Sequence, residues 1–159
     1  MTGHSLGQIG VNTVAEATAA RAPVAAQTNT PGAAADQTDH LVERNGLRYA
    51  GTHLIIDLWE GEHLDDVAVI ELALHRAVEA AGATLVHLHL HEFTASGGVS
   101  GVAMLAESHI SIHTWPERGY AAVDVFMCGS AQPHKVVPIF RQAFQARRVA
   151  ISAHLRGLV

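Results

Sequence analysis

Glu107-Ser-His-Ile-Ser-Ile-His-Thr-Trp-Pro-Glu-Arg-Gly-Tyr-Ala-Ala-Val-Asp-Val-Phe-Met-Cys128 is the stretch that decides the fold. Its middle, Pro116-Glu-Arg-Gly119, has the residue types of a tight turn: proline presets one backbone angle and glycine tolerates the left-handed region. Ser108–Trp115 and Tyr120–Cys128 flank it as short strands rich in β-branched and aromatic residues. A turn this short joins antiparallel neighbours. Working outward, Val99–Ala106 and Thr84–Phe93 read as further strands, with Thr94-Ala-Ser-Gly-Gly98 as the loop between them. Downstream, Pro133–Ala146 reads as a helix with Val136, Val137, Phe140 and Phe144 turned inward. Pro138 has no N–H, so that helix must begin close enough to place it in the first turn. Arg148–Leu155 reads as a last strand.

Upstream, Thr52-His-Leu-Ile-Ile-Asp-Leu-Trp59 reads as a buried strand, and Glu60-Gly61-Glu62 turns the chain. Asp65 and Asp66 suit a helix N-terminus, where free N–H groups and the dipole favour anions. Val67, Ile70, Leu74, Ala77, Val78 and Ala81 follow at three- and four-residue spacing, and Gly82 stops the helix. The order is β-α-β-β-β-β-α-β. Runs of strands between helices predict an α+β fold with a mainly antiparallel sheet. Two helices cover one face of such a sheet and leave the other to a partner subunit.

The chain has 159 residues, enough for one domain with a sizeable core. Residues 15–35 are rich in Ala, Thr, Gln and Asn, and Pro23, Pro31 and Gly32 break any period. Residues 1–45 are therefore expected to be a disordered tail and 46–159 the folded domain. The start lacks the basic and apolar regions of a secretory signal, and Glu16, Asp36 and Asp39 speak against a transit peptide. Ten Lys and Arg against fifteen Asp and Glu give a net charge of −5, which argues against phosphate-backbone binding, so no nucleic acid partner is expected. No apolar run approaches a membrane span. One cysteine, Cys128, rules out an intrachain disulfide and suits a reducing cytoplasm.

Twelve histidines need an account. His87, His89 and His91 alternate with apolar residues, so on a strand they point to one face. Same-face neighbours stand roughly 6.5–7 Å apart, wide for three ligands about 2 Å from one ion. No metal is expected, and these residues are read as lining a site or an interface. In Glu107–Glu117, two serines, two histidines and two glutamates crowd into eleven residues. A Ser/His nucleophile pair and a satisfied polar strand both stay open on spacing alone. The nucleophile elbow is absent, since Gly98-Val-Ser-Gly101 has the wrong spacing.

The run Glu107–Glu117, followed by Gly119-Tyr-Ala-Ala-Val-Asp-Val-Phe-Met-Cys-Gly129, resembles the signature of prokaryotic S-adenosylmethionine decarboxylase proenzymes. Val99-Ser-Gly-Val102 and Ala83-Thr84 fit the same family, and the similarity runs from about Gly51 to Gly157. The resemblance implies a two-layer α/β sandwich that pairs through its sheet into a homodimer. It implies self-cleavage between Glu107 and Ser108, with Ser108 converted to a pyruvoyl cofactor that holds substrate as a Schiff base. By the same resemblance His113 is the processing base, Ser100 assists processing, and Cys128 donates the proton after decarboxylation. Glu117, Trp115 and Phe93 fall on substrate-binding positions, Glu117 against ribose hydroxyls, and Trp59 stands where the family has a tyrosine. The implied function is decarboxylation of S-adenosylmethionine to the aminopropyl donor for spermidine synthesis.

The chain departs from the family pattern in three places. The loop after Phe93 is one residue longer and lacks a proline-glutamine element. The segment Leu58–Asp66 is shorter than the usual one, and the N-terminal tail is long. None touches the processing centre, and two touch regions that shape substrate binding. Relatives that decarboxylate ornithine or arginine with the same cofactor give an alternative substrate, and Glu60 or Glu62 would then meet the terminal ammonium. A partner protein without activity that regulates a paralogue is the rival of another class. Intact Ser108, His113 and Cys128 speak against it.

Overall fold

The computed structural model describes residues 41–159, so residues 1–40 of the tail expected over 1–45 lie outside the described residues. The elements are β1 (Val42–Arg44), β2 (Leu47–Trp59), α1 (Val67–Ala81), β3 (Leu85–Glu92), β4 (Val99–Leu105), β5 (Ser108–Trp115), β6 (Tyr120–Met127), α2 (Val136–Ala143) and β7 (Arg148–Leu158). All pair antiparallel in one sheet, ordered β7-β2-β6-β5-β4-β3, with β1 folded back on the start of β2.

The hairpin read from the sequence stands at the centre. Trp115 faces Tyr120 across the β5–β6 pair, and the turn is one 3-10 turn, Pro116–Arg118, closed by Gly119 at φ 55°. A side chain at Gly119 would begin 3.4 Å from the Gly61 backbone, so glycine also lets the loop after β2 pack against this turn.

α1 starts where the aspartates put it. The Asp66 carboxylate accepts the N–H groups of Ala68 and Val69 at 2.9 and 3.1 Å, and Gly82 ends the helix at φ 71°. The second helix divides. Pro133–Lys135 forms a 3-10 turn, and α2 proper starts at Val136, which places Pro138 in its first turn as its missing N–H requires.

Burial alternates along the strands. Leu54, Ile56 and Leu58 of β2, Ile110 and Ile112 of β5, and Ala121, Val123 and Val125 of β6 are sealed against Ile70, Leu74, Ala77, Val136, Phe140 and Phe144. Fully burying one such large side chain stabilises the fold by about 1.5–3 kcal/mol. Both helices thus cover one face, giving two layers. The opposite face carries no helix and exposes Ile55, Val102, Met104 and Trp115 among polar residues.

β1 was not expected. Its sequence signal is Asn45-Gly46, both left-handed at φ 54° and 75°, which is the two-residue hairpin turn that matches strand twist. The sheet therefore begins at Val42, ahead of the expected boundary at residue 46.

Candidate active site

Glu107 and Ser108 sit where β4 turns into β5. Leu105 pairs with Ser108, so the chain reverses over Ala106 and Glu107 alone. This forces Glu107 to φ 55°, a region that costs a residue with a Cβ roughly 1–2 kcal/mol. The end of β6 closes over the turn. The Cys128 N–H donates to the Ser108 hydroxyl oxygen at 3.2 Å, and the Cys128 thiol donates to the Glu107 carbonyl at 2.7 Å. The thiol sulfur and Ser108 Oγ are 3.7 Å apart. A cavity of about 150 Å³ opens beside the bond, lined by small residues that include Gly82, Ala83, Thr84, Gly129 and Ala131. Nucleophile, carbonyl and acidic hydrogen are therefore in mutual contact across one peptide bond.

Ser100 and His113 face each other across β4 and β5, with Ser100 Oγ 2.7 Å from His113 Nδ1. They form a second centre. Five residues of β5 separate His113 from Ser108, about 16 Å at the usual rise, and an odd separation sends the two side chains to opposite faces of the sheet. Within one copy of the chain, then, the expected processing base does not reach the Glu107–Ser108 bond.

The uncovered face orders the remaining expected residues into a row. Strand partners share a face, so Arg148, Trp59, Tyr120 and Trp115 lie side by side on β7, β2, β6 and β5. The Arg148 guanidinium stands 4.0 Å over the Trp59 ring, and the Tyr120 ring lies 5.8 Å from Trp59 and 5.2 Å from Trp115. The β4–β5 register carried outward sets Gly98 beside Trp115, and Phe93 follows through its N–H bond to the Gly98 carbonyl. Gly98 thus stands between two aromatic side chains and carries none of its own; a Cβ there would lie 2.8 Å from the Thr114 carbonyl. Glu117 is exposed in the turn, 3.8 Å from Arg118.

Sequence reading missed Tyr120 and Asp57. The Tyr120 hydroxyl donates to the Asp57 carboxylate at 2.5 Å. That bond, then burial, then the negative charges of Asp57 and Asp124 push the phenol up to about 12. The signal was the strand period, which puts Asp57 and Trp59 on one face, but the pairing of β2 with β6 was needed to find their neighbour. His87, His89 and His91 do share the uncovered face, opposite Met104, Val102 and Ser100. Among the described residues no three His, Cys, Asp or Glu are grouped to hold a metal, and no helix is long and apolar enough to cross a membrane.

Fold and site together define a two-layer α+β protein built around a strained Glu-Ser turn with a thiol on its carbonyl. The family model described as S-adenosylmethionine decarboxylase matches residues 52–157. A proenzyme of that name from Thermomicrobium roseum is 42% identical over 114 residues, covering 71% of this chain and 98% of the relative. One from Methanococcus vannielii is 47% identical over 116 residues, covering 71% and 94%. The crystal structure of the adenosylmethionine decarboxylase from Aquifex aeolicus is similar at a TM-score of 0.64 and 36% identity, covering 70% of this chain and 93% of that one. The chain belongs to the S-adenosylmethionine decarboxylase family.

Proposed function

We propose that this protein is a pyruvoyl-dependent S-adenosylmethionine decarboxylase, made active by cleavage of its own chain between Glu107 and Ser108. The observation that carries the reading is the triple contact of the Ser108 hydroxyl, the Glu107 carbonyl and the Cys128 thiol. The residues fit a pyruvoyl group at position 108: the serine opens a strand after a strained turn, and small residues line the space beside it.

Cleavage follows from the chain's own atoms. Ser108 Oγ attacks the Glu107 carbonyl carbon, and the developing oxyanion lies against the Cys128 S–H, where a preorganised donor is worth most. The C–N bond breaks, the hydroxyl proton goes to the Ser108 nitrogen, and an ester replaces the amide. A base removes the Ser108 α-proton, and the Glu107 carboxylate leaves by β-elimination. Water then replaces the nitrogen of the resulting dehydroalanine, ammonia departs, and a pyruvoyl group remains. That group supplies an electron sink for the electrons left behind by carbon dioxide. Cys128 delivers its proton to the substrate carbon.

The base is His113, with Ser100 holding its ring, and both come from a second copy of the chain. The geometry supports this: His113, Ser100, Trp115 and Glu117 lie toward one end of β5 and Ser108 at the other. A two-fold pairing through the uncovered faces would bring the end of one β5 to the start of the other. We place the enzyme in the cytoplasm, where its working thiol stays reduced. Phe93 and Trp115, on either side of Gly98, suit a planar base, and Glu117 suits a ribose diol.

Two measurements test the reading. The intact mass should resolve into chains of 107 and 52 residues, the shorter blocked at its N-terminus. Carbon dioxide release should favour S-adenosylmethionine over ornithine, arginine and lysine at equal concentration. A chain that stays whole on prolonged incubation rejects the mechanism. Preference for a basic amino acid rejects the substrate alone.

A further inference from the structure

We infer that Tyr120, anchored by Asp57, is a positioning residue that fixes the indoles of Trp59 and Trp115 as a rigid wall for the cationic, base-bearing end of the substrate. The inference rests on the function proposed above and adds two residues to it.

Asp57 lies between Ala150 and Ala122 on the neighbouring strands, so nothing bulky flanks its carboxylate. It reaches diagonally to the Tyr120 hydroxyl and binds it at 2.5 Å. Tyr120 then has an indole on each side, tilted 32° from Trp59 and 30° from Trp115. The far side of Trp59 is closed by Arg148 at 4.0 Å. On the far side of Trp115 the β4 position is Gly98, which carries no side chain; the His113 ring, two residues back on β5, lies 6.3 Å from the indole, and Trp115 is 39% exposed. Its free face is therefore the face offered to a ligand, and Tyr120 sets its tilt from behind. Ordering a side chain on binding costs roughly 0.5–1.5 kcal/mol, and a ring already held against a bound tyrosine escapes most of that cost. A fixed aromatic face also suits a sulfonium, which it attracts through the ring quadrupole.

The test uses Tyr120→Phe, which keeps the ring and removes the donor, and Asp57→Asn, which keeps the shape and removes the charge. Both tryptophans of the chain flank Tyr120, so intrinsic indole emission reads this row. In the cleaved enzyme each variant should raise KM for S-adenosylmethionine about fivefold, the worth of one ordinary hydrogen bond. kcat and the cleaved fraction should stay within about twofold, and acrylamide should quench the indoles more readily. The double variant should be no worse than Tyr120→Phe alone, because Asp57→Asn weakens the same bond that Tyr120→Phe removes. Emission that shifts while KM stays put overturns the substrate role and leaves a structural bond. Unchanged emission overturns the positioning itself. Wild-type protein that cleaves yet releases no carbon dioxide from S-adenosylmethionine fails the proposed function instead, and the quenching arm then still decides whether Asp57 and Tyr120 hold the row.

Discussion

The proposed mechanism gives Cys128 two tasks because of where its hydrogen points. In the uncut chain the thiol donates to the Glu107 carbonyl, and after cleavage the same sulfur is left beside position 108. Cys128→Ala should still cleave, more slowly for want of that donor, and should lose turnover by about 10²–10⁴-fold, the usual worth of a placed acid. Single-turnover product analysis should show more transamination; full activity with none would remove Cys128 from the chemistry. Tyr120 predicts a pH effect. Its phenol titrates near 10 in an unfolded chain and near 12 in the fold. The stability from its bond to Asp57 is therefore complete below pH 10 and drains as pH climbs through 12. In Asp57→Asn the tyrosinate absorbance band should emerge at lower pH than in the wild type. Ser108 and Cys128 were singled out in the sequence because one unbroken block carries them, and the fold brings them into contact. The Asp57–Tyr120 bond was not, because it joins residues 63 positions apart through a strand pairing that no local pattern states.

At the scale of elements, β5 does the organising. One end opens with the Glu107–Ser108 bond, the other carries His113 and Trp115, and buried Thr114 fastens that end to its surroundings. The Thr114 hydroxyl donates to the Leu64 carbonyl at 2.7 Å and accepts the Val99 N–H at 2.8 Å, tying the loop before α1 to the start of β4. Thr114→Val leaves both groups buried without that partner and should cost about 2 kcal/mol in urea unfolding. A cost near zero would mean that water replaces it. The antiparallel sheet, the Asp66 cap and the Gly82 stop could be read in advance, since each is written in adjacent residues. β1 was passed over because three residues carry no period. The extent of β7 was misjudged too: its edge position leaves all but Val149 exposed, so burial patterning could not mark where it ends.

For the whole molecule, the separation of His113 from Ser108 predicts complementation. Ser108→Ala and His113→Ala chains should each stay uncut alone. Expressed together, they should form mixed pairs in which the Ser108→Ala copy lends its His113 to the other's Glu107–Ser108 bond. The His113→Ala chain should then be cleaved, visible as a 52-residue fragment by mass. No fragment in a demonstrated mixed pair would place the base within the same copy. The sequence named both centres; the fold sets them at opposite ends of β5 and on opposite faces of the sheet. Removing residues 1–40, which precede the first strand, should leave cleavage and turnover nearly unchanged.

The turn at Ala106-Glu107 has one more consequence. It is the sole covalent link between β4 and β5, yet β5 is hydrogen-bonded along its length to β4 on one side and β6 on the other. A cut there frees no fragment. It leaves two polypeptides whose strands interleave, β2 of the first standing between β7 and β6 of the second, so the two share one core and stay together only while that core is intact. Before maturation, unfolding is a one-molecule event that the chain can reverse. Afterwards it separates two molecules, and renaturation depends on their concentration and on finding each other before either aggregates. The mature protein is thus kept by its rate of unfolding: heat should inactivate it irreversibly under conditions from which an uncut Ser108→Ala chain recovers on cooling.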